Sequence, residues 1–447
     1  MNTYSRVLES ILIPGYYGLR SRSYPAYRKF LEQSQWWTAE QIEDFQWREL
    51  RRLLEHAFRT VPYYRKKYSG INCEDIQTRK DFAKLPPLTR AELNEHRAEL
   101  CSTQPGERLI SHATGGSSGV PARFFITRDS FDWRCAATAR AYSWSGCVIG
   151  ERTLYLWGAP VGELPFLKRA KLNAYRFLRR EMVVPTFSQT VEMWRDTASK
   201  ALRFKPAFMV GYVSSLDECA KYLLASKTSI SSVRAVLAAA EPLPDETRQL
   251  VQKVFGAPVF DTYGSREFMS IAAECDQHEG MHLNAENVFV ETEQPATIGP
   301  SELLITDLHN YGMPFIRYRI GDVGSLNTSA CSCGRGLPKI QVEGRARDVL
   351  RTRDGRVVSG IFFPHTLKDI PEVREFQAQQ VSLDEITLSV VLNSPLSDGS
   401  RVLLRQEIGK VFGSDTQVKI ESVDKIPRLL SGKRQATVGC NAQQTIR

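Results

Sequence analysis

The sequence predicts an α/β protein: a large unit over residues 1–343, built on a mostly parallel sheet with flanking helices, and a small α+β unit over 344–447. Three observations carry this. A chain of 447 residues is too long for one ordinary hydrophobic core and calls for two or three structural units. Between about residues 150 and 263, short apolar runs alternate with helix-like stretches, the pattern of strands joined by crossover helices. From about Glu286 onward the texture changes to strand-like runs without long helices between them.

The elements follow in order. Thr38 and Gln41 have the spacing of a capping box, and Leu50, Leu53, Leu54 and Ala57 then fall on one helical face until Pro62 ends the run. Next, "RLISH" and "ARFFIT" read as strands on either side of "ATGGSSGVP" (113–121). "TLYLW" (153–157), "AFMVGY" (207–212), "VRAVLAA" (233–239) and "PVFDTY" (258–263) read as buried strands, with "SSLDECAKYLLAS" (214–226) and "DETRQLVQKVF" (245–255) as helices. In such sheets ligands sit at the carboxyl ends of the strands. "ENVFVETE" and "ELLITDL" are further strands. After Gly344, "DVLRTRDGRVVSG" offers an Asp354-Gly355 turn, "ITLSVVL", "LLRQEIGKVFG" and "QVKIES" read as strand, helix and strand, and 392–400 reads as an exposed loop.

Composition narrows the class. The chain is 42% apolar and 24% charged, as folded proteins are, and its net charge of +9 favours anionic small molecules or surfaces. No Lys/Arg block or nucleic-acid motif accompanies the charge, so no nucleic-acid partner is expected. The N-terminus reads as lacking a signal peptide, no run reaches the ~20 apolar residues of a membrane span, and the Tyr- and Arg-rich end is expected to pack on the protein body. Nine scattered cysteines, an odd number, point to a cytoplasmic protein with thiols buried or on metal. A monomer and a homo-oligomer both stay open.

Several stretches carry chemistry. Thr114, Gly115, Gly116, Ser117, Ser118 and Gly119 can direct backbone N–H groups and hydroxyls at a phosphate, although the Walker ending is missing and such loops also serve as plain connectors. Glu267, after a tight Tyr263-Gly264-Ser265 turn, is placed to hold Mg²⁺. Asp322 in "YRIGD", taken as exposed, suits a ribose diol as well as an ordinary turn. Arg345 in "GRARD" and Lys433 in "PRLLSGK" are candidate phosphate ligands or merely solvated charges.

Taken in order, "TGGSSGVP", "AAAEPLP" (238–244), "YGSRE", "YRIGD", "GRARD" and "PRLLSGK" resemble the motifs of the adenylate-forming superfamily, and most of all its phenylacetate–CoA ligase and CapK branch. The resemblance covers nearly the whole chain. It implies a two-step reaction: a carboxylic acid and ATP–Mg²⁺ give an acyl-adenylate, and the acyl group then passes to an acceptor, most often CoA. It gives 114–119 to the phosphates, Ala240, Glu241, Pro242 and Tyr263 to the adenine, Glu267 to Mg²⁺ and Asp322 to the ribose. Arg345 falls near ribose and phosphates. Lys433, on a small domain made mobile by a hinge at Arg347, bridges acid and α-phosphate in the first step. Where relatives carry a lysine after the loop, this chain has Arg123. The acceptor is left between CoA, a carrier-protein thiol and an amine. A catalytically silent binding protein is the other reading, and the CapK likeness hints at polysaccharide biosynthesis. Trp157 and Tyr212, within the segments 154–162, 210–215 and 268–272 expected to line the pocket, suit an apolar or aromatic acid.

"CDQHEGMH" (275–282) and "CSCGRGLP" (331–338) hold thiolates and imidazoles, the ligands of structural zinc, or else simply buried thiols and surface histidines. The branch's pattern favours Cys275, His282, Cys331 and Cys333, with His278 as the rival fourth ligand.

Overall fold

The computed structural model describes residues 3–20, 22–113, 122–157, 165–186, 190–293, 301–345, 350–353, 357–358, 362–367, 370–427 and 436–439. Two compact units emerge: Met1–Glu291 with Leu304–Arg319 and Leu326–Gln341, and Thr292–Leu303 with Ile320–Ser325 and Val342–Arg447.

The first unit begins with helices. Thr38 and Gln41 form the capping box reciprocally, and the helix Ala39–Thr60 that follows buries Leu50, Leu53, Leu54 and Ala57. It stops where Val61 is pushed to an extended conformation by the following Pro62, which then opens a short helix of its own. Strands β1 (Ile110–Ala113) and β2 (Arg123–Ile126) pair as an antiparallel hairpin, with Ala113 opposite Arg123.

Five parallel strands form the heart of the unit: β3 (Thr153–Trp157), β4 (Glu181–Pro185), β5 (Phe208–Tyr212), β6 (Ala235–Ala239) and β7 (Val259–Ser265). Both faces are covered, which is why these strands read as continuous apolar runs rather than alternating ones. Met209, Val236, Ala238 and Val259 join Leu216, Val251 and Phe255 of the crossover helices on one face. Phe208, Val210, Leu237 and Phe260 pack around Cys147 on the other. The antiparallel strands β8 (Met269–Glu274) and β9 (Met281–Leu283) follow, then β10 (Val288–Thr292), β11 (Ser301–Asp307), β12 (Tyr318–Asn327) and β13 (Lys339–Arg345). The sheet order is β10-β11-β12-β13-β9-β8-β7-β6-β5-β3-β4.

In the second unit, β14 (Leu350–Arg351) and β15 (Val357–Val358) pair antiparallel; the Asp354-Gly355 turn read between them lies outside the described residues. A four-stranded sheet runs β18 (Gln417–Ser422), β17 (Glu385–Leu392), β16 (Val373–Ser382), β19 (Thr437–Val438). The helix Asp398–Phe412 joins β17 to its parallel neighbour β18 and buries Leu404, Ile408 and Phe412 with Leu388 and Phe363. The exposed loop expected over 392–400 is shorter than that. Ser397 caps this helix by accepting from the Ser400 amide, so residues 398–400 are helical, and Leu396 is buried.

Candidate active site

The order β4-β3-β5-β6-β7 means the chain leaves β3 toward β4 on one side and leaves β5 toward β6 on the other. The crevice at the carboxyl ends of β3 and β5 is therefore the switch point at which open α/β sheets bind ligands. Trp157 ends β3 and Tyr212 ends β5, and their rings lie 4.5 Å apart at 38°. Of the segments read as pocket walls, these two residues are brought together; 158–162 lie outside the described residues.

Next along the sheet, β6 ends at Ala239, and Ala240 turns the chain with φ +69°, a conformation unusual for a residue with a Cβ. The turn is held by Glu241. Its carboxylate accepts from the Ser214 amide at 2.7 Å and the Ser214 hydroxyl at 3.2 Å. Ser214 lies in the first turn of the helix Val213–Ala225, whose N-cap Tyr212 supplies no side-chain cap. Glu241 thus satisfies an orphan amide and sits favourably at the positive helix end. Pro242 is exposed beside it.

The turn from β7 into β8 carries Tyr263 to Glu267. A Cβ on Gly264 would collide with the Met269 carbonyl oxygen, so the glycine permits the bulge recorded between Tyr263 and Gly264. The Ser265 hydroxyl accepts from the Phe268 amide at 3.3 Å. Phe268 is fully buried against Phe315 and Tyr318, and Phe315 packs on Phe124 of β2. This aromatic cluster fixes the turn from below and links it to the hairpin that flanks the glycine-rich stretch. Arg266 adds a weak second link, donating to the Ala113 carbonyl at 3.4 Å. Glu267 is only 6% exposed and shares no hydrogen bond or ion pair with any described residue. A carboxylate at this turn is a ligand whose chemistry fits a divalent cation.

Asp322 was expected to be exposed in a turn. It lies instead inside β12, 5% exposed, in the second unit; the preceding Gly321, at φ +81°, marks an irregularity within the strand rather than its end. Arg345 ends β13. Arg123 is exposed at the start of β2. Thr114, Gly115, Gly116, Ser117, Ser118, Gly119, Arg347 and Lys433 lie outside the described residues.

Cys275, His282, Cys331 and Cys333 converge, with their ligand atoms all within 4.8 Å of one another. Cys275 Sγ lies 3.7 Å from Cys331 Sγ, and Cys333 Sγ lies 3.3 Å from His282 Nε2. Ligand atoms around a tetrahedral zinc stand on the order of 3.5–3.8 Å apart, so the four fit that ion. His282 Nδ1 donates to the Leu337 carbonyl at 3.1 Å, which fixes the tautomer and leaves Nε2 as the ligand atom. His278 is not in the group: its Nδ1 meets Glu274 at 3.0 Å and its ring rests on Phe260.

From the sequence, Ser214 and Phe268 fell only within the segments 210–215 and 268–272 read as pocket walls, and Arg266 was given no role. Phe268 carried a signal, an aromatic directly after the acidic residue of a tight turn. The other two contacts are tertiary and have no local signature.

Comparison with known proteins finds similarity along most of the chain. Residues 350–439 match the CapK C-terminal domain family. The chain is 25% identical over 425 residues to phenylacetate-coenzyme A ligase of Escherichia coli (strain K12), covering 88% of this chain and 93% of that protein. It is 24% identical over 404 residues to Protein CapK of Staphylococcus aureus, covering 86% and 88%. Its fold aligns with the crystal structure of 2-hydroxyisobutyryl-CoA ligase in the postadenylation state with 2-HIB-AMP at a TM-score of 0.69, with 20% identity over 89% of each chain.

Proposed function

We propose that this chain, which resembles the phenylacetate–CoA ligase and CapK branch of the adenylate-forming enzymes, joins a carboxylic acid to CoA through an acyl-adenylate. In the first step a carboxylate oxygen bonds to the α-phosphorus of ATP and the bond to pyrophosphate breaks. In the second, the CoA sulfur bonds to the acyl carbon, AMP leaves and the thiol proton is released. Both steps move charge among phosphates and carboxyl oxygens, so catalysis rests on positioning and electrostatic clamping.

The observation that supports this reading is Glu267: a carboxylate with no hydrogen bond or ion pair among the described residues, on a turn pinned by Phe268 and tethered through Arg266 to the entrance of the glycine-rich stretch. Glu267 would hold Mg²⁺, which neutralises phosphate charge when bound. Ala240, Pro242 and Tyr263 flank the adenine through the turns that follow β6 and β7, while the Glu241 side chain is spent on holding Ser214. Residues 114–119 take the phosphates, Asp322 the ribose diol, Arg345 the phosphates, and Lys433 the acid and α-phosphate. Trp157 and Tyr212 favour an aromatic or apolar acid. Cys275, His282, Cys331 and Cys333 would hold a structural zinc, apart from the residues given to the chemistry.

ATP–pyrophosphate exchange over a panel of carboxylic acids tests the reading. Exchange should require one class of acid and Mg²⁺ and should fall by roughly 100-fold or more in Glu267→Gln. Exchange that Glu267→Gln leaves intact removes the metal assignment. No exchange with any acid, together with no ATP-dependent rise in melting temperature, overturns the function.

A further inference from the structure

The helix Phe166–Arg179 lies in the crossover from β3 to the edge strand β4, a place where a helix normally turns its apolar face to the sheet. This one does not. None of its residues is buried. Phe166, Leu167, Ala170, Ala174, Phe177 and Leu178 recur at helical spacing to make one apolar face, and all are exposed, Phe166 at 73%, Leu167 at 79% and Phe177 at 82%. The part-buried positions are Leu172, Arg176 and Arg179, the last donating to Glu181 at 2.6 Å.

The N-terminal segment lies beside this helix. The Tyr4 hydroxyl donates to the Leu178 carbonyl at 2.6 Å, and the Arg180 guanidinium sits 3.8 Å from the centre of the Tyr4 ring. Ile11 and Leu19 are exposed in that segment, along with Arg6 and Arg20. Two neighbouring stretches of chain thus present apolar side chains to solvent.

Charge identifies the occupant. Every charged residue from Phe166 to Arg180 is basic: Lys168, Arg169, Lys171, Arg176, Arg179 and Arg180. Exposed Arg169 and Lys171 flank the apolar face, and exposed Lys168 lies further round the helix. An apolar stripe rimmed by cations matches an anionic lipid surface, where acyl chains meet the stripe and headgroups meet the rim. A second copy would set like charges against one another. A nucleic acid would leave the aliphatic stripe unused. At 14 residues the helix is ~21 Å long, short of the ~30 Å hydrocarbon core, and no described helix is long and apolar enough to cross a membrane. We propose that the helix Phe166–Arg179, with the N-terminal segment beside it, lies in the plane of an anionic membrane surface and docks the protein there.

Co-sedimentation of the full chain with phosphatidylcholine vesicles, with and without phosphatidylglycerol, tests this. Binding should need the anionic lipid and weaken with salt. The triple variant Lys168→Glu, Arg169→Glu, Lys171→Glu should bind on the order of 100-fold more weakly. Phe166→Ser with Phe177→Ser should lose roughly 10-fold or more. Each replaces exposed side chains, so an unchanged melting temperature shows that the fold is intact. Wild-type protein that stays in the supernatant with anionic vesicles overturns the proposal, as does binding that survives both variants. Absent vesicle binding with a dimer that the phenylalanine pair abolishes assigns the face to a second copy instead.

Discussion

Asp261 lies within β7, ahead of the turn that carries Glu267, and its own carboxyl is held in an unusual state. Burial, and then the neighbouring Glu274 carboxylate, push its pKa up to about 7 against the pull of Arg248. Arg248 pairs with Glu274 through both oxygens, at 2.8 and 3.0 Å, and the Asp261 amide donates to Glu274 at 2.8 Å. Glu274 therefore keeps the charge and Asp261 the proton. The sign of the linkage follows. Between the ordinary value of 3.8 and about 7, the folded protein binds one proton more than the unfolded chain at this site. Its contribution to stability falls as pH rises through that window and is level above it. Asp261→Asn should flatten the melting temperature across the same window and raise it above pH ~7 relative to the parent. A variant that keeps the parent's slope would place the proton elsewhere.

At the scale of elements, the parallel strands were legible because burial on both faces writes itself as unbroken apolar runs, as in β5 and β6. The capping box at Thr38 was legible for the same local reason. What escaped was tertiary or local in a misleading way. Gly321 before Asp322 looks like a turn, yet β12 continues through it. Ser397 looks like loop, yet it caps a helix. Cys275-x-x-His278 has ligand spacing, but His278 points to Glu274, whereas His282 shares a strand register with Lys339 beside the Cys331–Cys333 loop. The proposed zinc would hold that loop. Chelation, or Cys275→Ser, should release stoichiometric zinc and lower the melting temperature by roughly 5 °C or more. Protein that contains no zinc after metal-replete purification would leave the four residues as packed thiols and imidazole.

Across the whole molecule, the chain divides into two units with separate cores, and Lys433 belongs by sequence to the second. The proposed reaction gives Lys433 work in adenylation only. Lys433→Ala should slow acyl-adenylate formation by roughly 100-fold or more while thioester formation from supplied acyl-adenylate stays within about 5-fold. Equal loss in both steps would make Lys433 a general binding residue. In the first unit, the tie between Glu241 and Ser214 joins the turn after β6 to the helix that starts at Tyr212. On the roles proposed above, acid choice and nucleotide grip would share one mechanical part. A programme to redirect the enzyme to other acids meets coupled positions: on the proposed roles any change at 212–214 is felt by ATP as well, and Trp157 reaches the same helix start through Tyr212, 4.5 Å away.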